Sequence, residues 1–303
     1  MVEVPERNLA LELVRVTETA ALAAARWQGR GDKEAADQAA VDGMRLILGY
    51  IDIDGTIVIG EGEKDEAPML HNGERVGTGR GMAVDVAVDP VDGTTLTSEG
   101  MPGAVAVIAV SERGTMYAPG SLVYMDKIAV GPAAAGLIDL EAPVAHNLQA
   151  VSKALDKDVS ELTAIILNRP RNAPYIEAVR AAGARIRLIR DGDVAGAIAT
   201  AQEDSGIDIL FGIGGSPEAV IAAAALKCMG GEQQCKLWPR DDSERESLAE
   251  TSVPLGTLQS KYNLDGLVAF LKNPLDARPS GRMPNMRLTH WEATDLASYL
   301  LSG

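Results

Sequence analysis

Residues 84–95 read VDVAVDPVDGTT, an apolar run that ends in two aspartates and a pair of threonines. The run Val84–Val88 is short and rich in β-branched side chains, which predicts a buried strand. Residues 56–63 read TIVIGEGE and repeat the arrangement, because their apolar run ends in Glu61 and Glu63. Both stretches therefore predict buried strands that deliver carboxylates at their ends.

Carboxylates crowded at two strand ends predict a site for a divalent cation. Mg²⁺ and Mn²⁺ prefer oxygen ligands, whereas uncompensated like charges repel and raise one another's pKa. Asp89 and Asp92 can straddle an ion across a tight turn, and Thr94 places a hydroxyl beside it. The alternative is an ordinary turn, since Asp, Gly and Pro commonly follow a strand. The complete string favours the metal site.

The composition restricts the class of protein. At 303 residues the chain can form one large layered domain or two smaller ones. Its net charge of −15 argues against binding to nucleic acids or anionic membranes, although local cations in a cleft can still hold a phosphate. Cys228 and Cys235 form no CxxC pair, residues 1–11 lack the apolar stretch of a signal peptide, and no run is long enough to span a membrane. We expect a cytoplasmic protein.

Helical and extended patterns alternate along the chain, which predicts an α/β protein. Helices are predicted at 8–27, 37–48, 173–182, 194–202 and 217–229. Strands are predicted at 56–59, 84–88, 104–110, 122–124, 164–167, 185–189 and 207–211. From residue 164 onward the order is that of βαβ units, so we expect helices and sheets stacked in layers.

Two further segments contain candidate ligands near helix starts. Asp37 stands at the start of the second predicted helix. It is either a metal ligand or an ordinary cap or first-turn residue of that helix. Gly212–Glu218 follows a strand and opens a helix, where backbone amides can hold a phosphate. It is not a dinucleotide fingerprint, because Pro217 stands where the last glycine is needed.

A second phosphate could be held farther along the chain. Arg169 and Arg171 follow a predicted strand and can form a bidentate clamp, or they are ordinary solvated arginines. Asp191–Asp193 precedes a predicted helix and is either a polar part of the site or a plain turn.

From Arg7 to about Glu250 the chain resembles class II fructose-1,6-bisphosphatase, a bacterial family. The matching segments are Trp27–Asp37, Ile57–Glu63, Asp85–Thr95, Tyr124–Lys127, Pro170–Arg171, Asp191–Ala195 and Gly212–Glu218. The resemblance implies the lithium-sensitive sugar-phosphatase fold, with alternating helix and sheet layers. It also implies five metal ligands, namely Asp37, Glu61, Asp89, Asp92 and Glu218. The residues implied to surround the sugar bisphosphate are Asp92, Gly93, Thr94, Tyr124, Arg169, Pro170, Arg171, Asp191, Gly192, Asp193 and Gly215.

The implied activity is hydrolysis of the 1-phosphate of fructose 1,6-bisphosphate, and also of sedoheptulose 1,7-bisphosphate, in gluconeogenesis or the Calvin cycle. Mn²⁺ or Mg²⁺ would neutralise the phosphate, Thr94 would orient the attacking water, and Glu61 or Glu63 would accept its proton. Lys33 would screen the phosphate charge or pair with an acid. We expect a dimer or tetramer. The alternatives to this activity are an inositol-phosphate or nucleotide 3′-phosphate phosphatase of the same fold, or a catalytically impaired fusion protein.

Residues 251–303 depart from this family and resemble the last part of a c-type cytochrome domain. The chain has no CxxCH sequence, so neither the covalent anchors nor the proximal His of a haem are present. We therefore predict two domains, 1–250 and 251–303, and no haem. In this interpretation the carboxy-terminal layer of the phosphatase is truncated and replaced by a small helical segment.

Overall fold

The computed structural model describes residues 8–62, 69–120 and 122–251. The described chain forms two units. The larger unit contains the residues up to 112 together with 116–238. The smaller unit contains residues 113–115 together with those from 239 onward. Apart from Thr251, the predicted cytochrome-like segment lies outside the described residues, as does Glu63. The division into domains at residue 250 stays a prediction.

The first half of the larger unit begins with two helices and continues as a sheet. Its elements are α1 (Leu9–Ala25), α2 (Lys33–Leu48), β1 (Ile53–Ile59), β2 (Arg75–Val76), β3 (Met82–Asp92), α3 (Thr94–Glu99) and β4 (Val105–Glu112). The strands pair in the order β2-β1-β3-β4. β1 and β3 are parallel, and the two outer strands are antiparallel to their neighbours. The parallel pair thus directs both acidic strand ends to the same edge of the sheet.

The second half forms a five-stranded sheet with βαβ connections. Its elements are β5 (Tyr124–Val130), α4 (Val144–Leu155), β6 (Thr163–Leu167), α5 (Ala173–Ala181), β7 (Arg185–Ile189), α6 (Asp193–Ala199), β8 (Ile209–Gly215), α7 (Ser216–Met229) and β9 (Glu232–Leu237). The order is β7-β6-β8-β5-β9, and β6 is parallel to both of its neighbours. In the second unit, α8 spans Asp242–Thr251.

Helices and sheets of the larger unit alternate in five layers. α1 and α2 pack together on the first sheet, and α4 and α5 cover the second sheet. Between the sheets lie α6 and α7, where Val194 and Ile221 share a buried cluster with Ile59 and Ala87 of the first sheet. A separate cluster joins the same two helices to the second sheet. The layered α/β fold predicted from the sequence is confirmed.

Two boundaries differ from the prediction for local physical reasons. α2 starts at Lys33, four residues early, because the Asp32 side chain accepts a hydrogen bond from the Ala35 amide and caps the helix. Asp37 therefore lies beyond the first turn and is not a cap. The predicted tight turn between Asp89 and Asp92 is wrong, because β3 continues to Asp92 with a shift of register against β4.

The strand predicted at 122–124 is displaced, and the structure adds elements that the sequence pattern did not predict. β5 begins where that prediction ended and contains two charged residues, Asp126 and Lys127, which interrupt the apolar pattern. The helices α3 and α4 and the strand β9 were also missed. Within the described ranges, no helix is both long and apolar enough to cross a bilayer.

The middle layer should dominate the stability of the larger unit. Leu226 of α7 is 1% exposed and packs against the second sheet, so we expect Leu226→Ala to lower the free energy of unfolding. Removing a buried leucine side chain costs about 2–5 kcal/mol, since it loses apolar burial and leaves a cavity. Urea unfolding would measure the loss. Leu46→Ala is the matched control, because Leu46 also lies on a helix but is 58% exposed. Equal losses in both variants would contradict the layered packing.

Candidate active site

The structure gathers the predicted acidic residues around one cavity of about 440 Å³. They come from four places in the fold: Asp37 from α2, Glu61 from just after β1, and Glu218 from the first turn of α7. Asp89 and Asp92 come from the end of β3. The lining residues are Asp37, Gly60, Glu61, Gly62, Val88, Asp89, Val91, Asp92, Gly93, Thr94, Asp191, Pro217 and Glu218. All five predicted metal ligands therefore share one cavity.

A bulge at the end of β3 sets the directions of the Asp89 and Asp92 side chains. Asp89 pairs with Val107 and Asp92 with Val105, so β3 has one residue more than β4 between these points. The extra residue falls next to Pro90, which has no amide to donate to the strand ladder. The Asp89 Oδ1 atom accepts a hydrogen bond from the Val91 amide at 3.0 Å. This local bond holds the Asp89 carboxylate against its own strand.

The Asp92 carboxylate is held by the start of α6. Its Oδ2 atom accepts a hydrogen bond from the Val194 amide at 3.0 Å. Gly192 adopts φ 78°, the left-handed conformation that glycine reaches without strain, and turns the chain into the helix. Asp92 thus caps a helix of the middle layer while its side chain lines the cavity.

Glu218 folds back over the start of its own helix. A Cβ atom on Gly215 would lie 1.7 Å from the Glu218 Oε2 atom, so a side chain at this position would displace the Glu218 carboxylate. The Glu218 carboxylate is bonded to its own amide, and the Ser216 amide donates to the Val123 carbonyl at 2.8 Å. These two amides therefore have partners within the protein, and phosphate binding by the other amides of Gly212–Glu218 stays a prediction.

Thr94 and Lys33 occupy different positions relative to the cavity. Thr94 is the first residue of α3 and lines the cavity, next to Gly93 at φ 99°. Lys33 does not line it; the Lys33 Nζ atom donates to the Thr95 hydroxyl at 2.8 Å. Among the described residues Lys33 has no acidic partner, so it supports the start of α3. The Thr95 amide in turn donates to Asp191 at 3.2 Å.

A second cavity of about 350 Å³ adjoins the first and contains the arginines. Asp92, Asp191, Pro217 and Glu218 line both cavities. The lining residues of the second are Asp92, Val123, Tyr124, Leu167, Arg169, Arg171, Asp191, Gly192, Asp193, Gly215, Pro217 and Glu218. Every residue predicted to surround the sugar bisphosphate lines one cavity or the other, except Pro170. Pro170 lies in a short 3₁₀ turn before α5.

Comparison with known proteins identifies the family. A family model described as bacterial fructose-1,6-bisphosphatase, glpX-encoded, matches residues 7–271. The chain belongs to this family. It is 53% identical over 237 residues to fructose-1,6-bisphosphatase 1 class 2 of Escherichia coli strain K12, covering 78% of this chain and 70% of that protein. The class 2 enzymes of Escherichia coli O6:H1 and Shigella flexneri match with the same figures.

Burial and mutual repulsion raise the pKa of the acidic groups in this glpX-type site. Burial, reinforced by the charge of Asp37, raises the pKa of Glu61 to about 7. Burial also raises the pKa of Asp37 and, together with the charge of Asp92, that of Asp89. Asp37 and Glu61 lie close enough for each carboxyl to affect the pKa of the other. The cavity therefore carries negative charge that its own residues compensate only in part.

The same effect extends to the residues shared by the two cavities. Burial, then the charges of Asp193 and Glu218, raises the pKa of Asp92 to about 8. Burial raises the pKa of Glu218, and the nearby Lys127 opposes that rise. In the described chain, Glu218 Oε2 is one of four buried side-chain atoms without a hydrogen-bond partner, and it lies in this site. An unpartnered carboxylate oxygen among raised carboxyl groups is what a hard cation would satisfy.

The chemistry of the five predicted ligands suits a divalent ion. All the donors are carboxylate oxygens, the ligands that Mg²⁺ and Mn²⁺ prefer. As they stand, no three His, Cys, Asp or Glu side chains in residues 8–62, 69–120 and 122–251 are arranged as a complete metal site. The assignment of Asp37, Glu61, Asp89, Asp92 and Glu218 as metal ligands therefore stays a prediction.

Lys127 is the functional residue that the sequence pattern missed. It lies on β5, is only 2% exposed, and its Nζ atom donates to the Asp193 Oδ2 atom at 2.6 Å. Gly214 leaves room for this pair, since a Cβ atom there would lie 1.9 Å from Asp193 Oδ2. The Asp193 carboxylate is thus turned toward a buried lysine. A charged residue inside an otherwise apolar strand is the one signal in the sequence that could have indicated it.

We expect the metal-free protein to become less stable as the pH rises from about 5 to about 9. Folding raises the pKa of Asp92 from 3.8 to about 8 and that of Glu61 from 4.5 to about 7. Between the ordinary and the raised values, the folded state binds more protons than the unfolded state. The stabilisation is complete below the ordinary values and is lost as the pH passes the raised ones.

Calorimetry in EDTA across this pH range would measure the effect as a falling Tm. Asp92→Asn should flatten the slope, because it removes one of the carboxyl groups whose pKa is raised on folding. Glu177→Gln, at an exposed position on α5, is the control and should keep the wild-type slope. A slope that is the same in Asp92→Asn and wild type would show that this carboxyl does not couple to folding.

Lys127→Met should destabilise the protein strongly, because it leaves the Asp193 carboxylate buried without its cation. Breaking a buried ion pair from one side costs about 3–5 kcal/mol. Urea unfolding would measure the change, and Lys127→Met/Asp193→Asn should recover part of it. Lys236→Met on the neighbouring strand β9 is the matched control: its partner is Glu141, both side chains are exposed, and little change is expected. Equal effects of the two lysine variants would refute the importance of the buried pair.

Proposed function

We propose that this chain hydrolyses the 1-phosphate of fructose 1,6-bisphosphate, giving fructose 6-phosphate and phosphate, as an enzyme of gluconeogenesis. The observation that carries the proposal is the pair of adjoining cavities. One is walled by carboxylates, the other contains Arg169 and Arg171, and Asp92 and Glu218 lie on the boundary. A molecule with two phosphates separated by a sugar matches this arrangement of charges.

The acidic cavity would hold the reacting phosphate together with Mn²⁺ or Mg²⁺. Bound divalent ions neutralise phosphate charge and lower the pKa of water, which phosphate monoesters need because their uncatalysed hydrolysis is extremely slow. The side chains that would hold the ions are Asp37, Glu61, Asp89, Asp92 and Glu218. Their burial and mutual repulsion favour taking up a cation.

The chain itself supplies orientation and proton transfer. The Thr94 hydroxyl, fixed at the start of α3, would orient the attacking water in the acidic cavity. A carboxylate oxygen of Glu61, from the same wall, would accept the water's proton. Lys33 would act through its hydrogen bond to Thr95, by holding the helix start that carries Thr94.

The second cavity would bind the other phosphate and the sugar. The Arg171 Nε atom donates to the Ile213 carbonyl at 3.0 Å, which leaves the other guanidinium nitrogens for a ligand. Arg169 lies 3.5 Å from Asp191, a residue that also faces the acidic cavity. Guanidinium groups suit phosphate because they donate two hydrogen bonds at once. This arrangement favours a sugar bisphosphate over an inositol monophosphate or a nucleotide 3′-phosphate.

Sedoheptulose 1,7-bisphosphate, a cytoplasmic location and a homo-oligomeric state are part of the same proposal. The free cysteines Cys228 and Cys235 support a reducing compartment. Leu11, Val14 and Leu22 of α1 are exposed apolar side chains, and they support contact between copies of the chain. Light scattering on the purified protein would give its oligomeric state.

Phosphate release from fructose 1,6-bisphosphate tests the proposed function directly. The assay would compare Mn²⁺, Mg²⁺ and EDTA, with inositol 1-phosphate and a nucleoside 3′-phosphate as competing substrates. We expect metal-dependent release, with fructose 6-phosphate as the product. Asp89→Asn should abolish both the activity and the rise of Tm that the ion produces, since bound ligands stabilise the folded state. Faster hydrolysis of either monophosphate would assign a different substrate class.

Thr94→Ala should lower kcat by about a hundredfold or more while KM changes little, since orienting the water matters mainly in the transition state. Steady-state kinetics on fructose 1,6-bisphosphate would measure both constants. Thr94→Ser is the matched control, because it keeps the hydroxyl and should retain most of the activity. A variant that loses substrate affinity but keeps kcat would show that the hydroxyl holds substrate and does not orient water.

A further inference from the structure

Trp238 lies outside both cavities but contacts one of their walls. It directly follows β9, and its amide donates to the Tyr124 carbonyl at 2.9 Å. Its indole ring meets the Tyr124 ring edge to face, with centroids 6.2 Å apart and an interplanar angle of 66°. Such a geometry is attractive, because the positive edge of one ring faces the negative face of the other. Trp238 therefore restrains the Tyr124 side chain.

Tyr124 in turn contacts the cation of the second cavity. The guanidinium carbon of Arg171 lies 4.2 Å from the centre of the Tyr124 ring, a cation–π contact. Arg171, Tyr124 and Trp238 thus form a chain of contacts, hereafter the Arg171 stack, that runs from the cavity wall to the end of β9. Of these three residues, only Arg171 and Tyr124 line the second cavity.

The Arg171 stack fixes a guanidinium whose charge is free for a ligand. Among the described residues, Arg171 has no carboxylate partner, whereas Arg169 is paired with Asp191 at 3.5 Å. The Arg171 Nε atom donates to the Ile213 carbonyl, and the guanidinium carbon lies over the Tyr124 ring, so two contacts restrain the group. A guanidinium fixed in this way loses little side-chain entropy when it binds a phosphate.

We propose that Trp238 is a positioning residue for the second phosphate of the substrate, acting through Tyr124 on Arg171. The inference rests on the proposed function, since it needs a substrate with two phosphates. Without the indole, the Tyr124 ring can rotate away from Arg171, and the guanidinium loses the contact that orients it. The expected consequence is weaker substrate binding with little change in the chemical step.

Steady-state kinetics on Trp238→Leu in the full chain would test this role. We expect KM for fructose 1,6-bisphosphate to rise about fivefold, the size that loss of one oriented cation–π contact predicts, with kcat changed less than about twofold. Trp238→Phe keeps an aromatic ring and should restore most of the affinity. A wild-type KM in Trp238→Leu, or an equal loss in Trp238→Phe, would overturn the inference.

A double-variant cycle with Arg171→Met distinguishes an effect of Trp238 on the orientation of Arg171 from a general loss of structure. If Trp238 acts through Arg171, Trp238→Leu should raise KM by less than about 1.5-fold once Arg171 is gone. The same fivefold rise in both backgrounds would overturn the inference. Should Trp238→Leu fail to fold, Trp238→Met, which is apolar and lacks a ring, provides the same comparison. Failure of the wild-type chain to hydrolyse fructose 1,6-bisphosphate would refute the proposed function, which is a distinguishable result.

Discussion

Crowding of buried carboxylates at the end of the parallel strand pair is the constraint on which the rest of the structure depends. Burial and then mutual repulsion raise the pKa of Glu61, Asp89, Asp92 and Glu218, so these groups need partial compensation from their surroundings. Asp92 receives it from the amides that open α6 and Glu218 from the start of its own helix, while Lys127 pairs with the neighbouring Asp193. The compensation is incomplete, and the remainder is the negative potential that would attract a cation.

The middle helical layer supplies the amides that compensate Asp92 and Glu218, because it contacts both sheets. α6 and α7 pack on the first sheet through Val194 and Ile221 and on the second through residues such as Leu226. Their first turns therefore lie beside the acidic end of β3. Glycines at 214 and 215 allow the close approach, since a Cβ atom at either position would overlap a carboxylate oxygen. The same few residues therefore determine both the packing of the middle layer and the electrostatics of the site.

The two cavities divide the site by charge. Six acidic side chains line the first, namely Asp37, Glu61, Asp89, Asp92, Asp191 and Glu218, whereas the second adds two arginines and Tyr124. Arg169 is already neutralised by Asp191, so Arg171 presents the less compensated charge. A ligand with separated phosphates can satisfy both cavities only if an ion accompanies the phosphate in the first. The family to which the chain belongs and this division of charge lead to the same class of substrate.

The sequence by itself determined the layered α/β fold and the strands that end in carboxylates, and its resemblance to a known family indicated most of the residues that line the two cavities. The strands follow from patterns within a few residues, such as VDVAVDPVDGTT, where side-chain type and spacing already indicate a strand that ends in carboxylates. Only the tertiary structure decided the bulge at Pro90, the extent of β5, and the contacts of Lys127 and Trp238. Lys127 and Asp193 are 66 residues apart in the chain, and Trp238 meets Tyr124 across two strands. A buried charge or an orienting ring depends on its partner in space, and no local pattern specifies that partner.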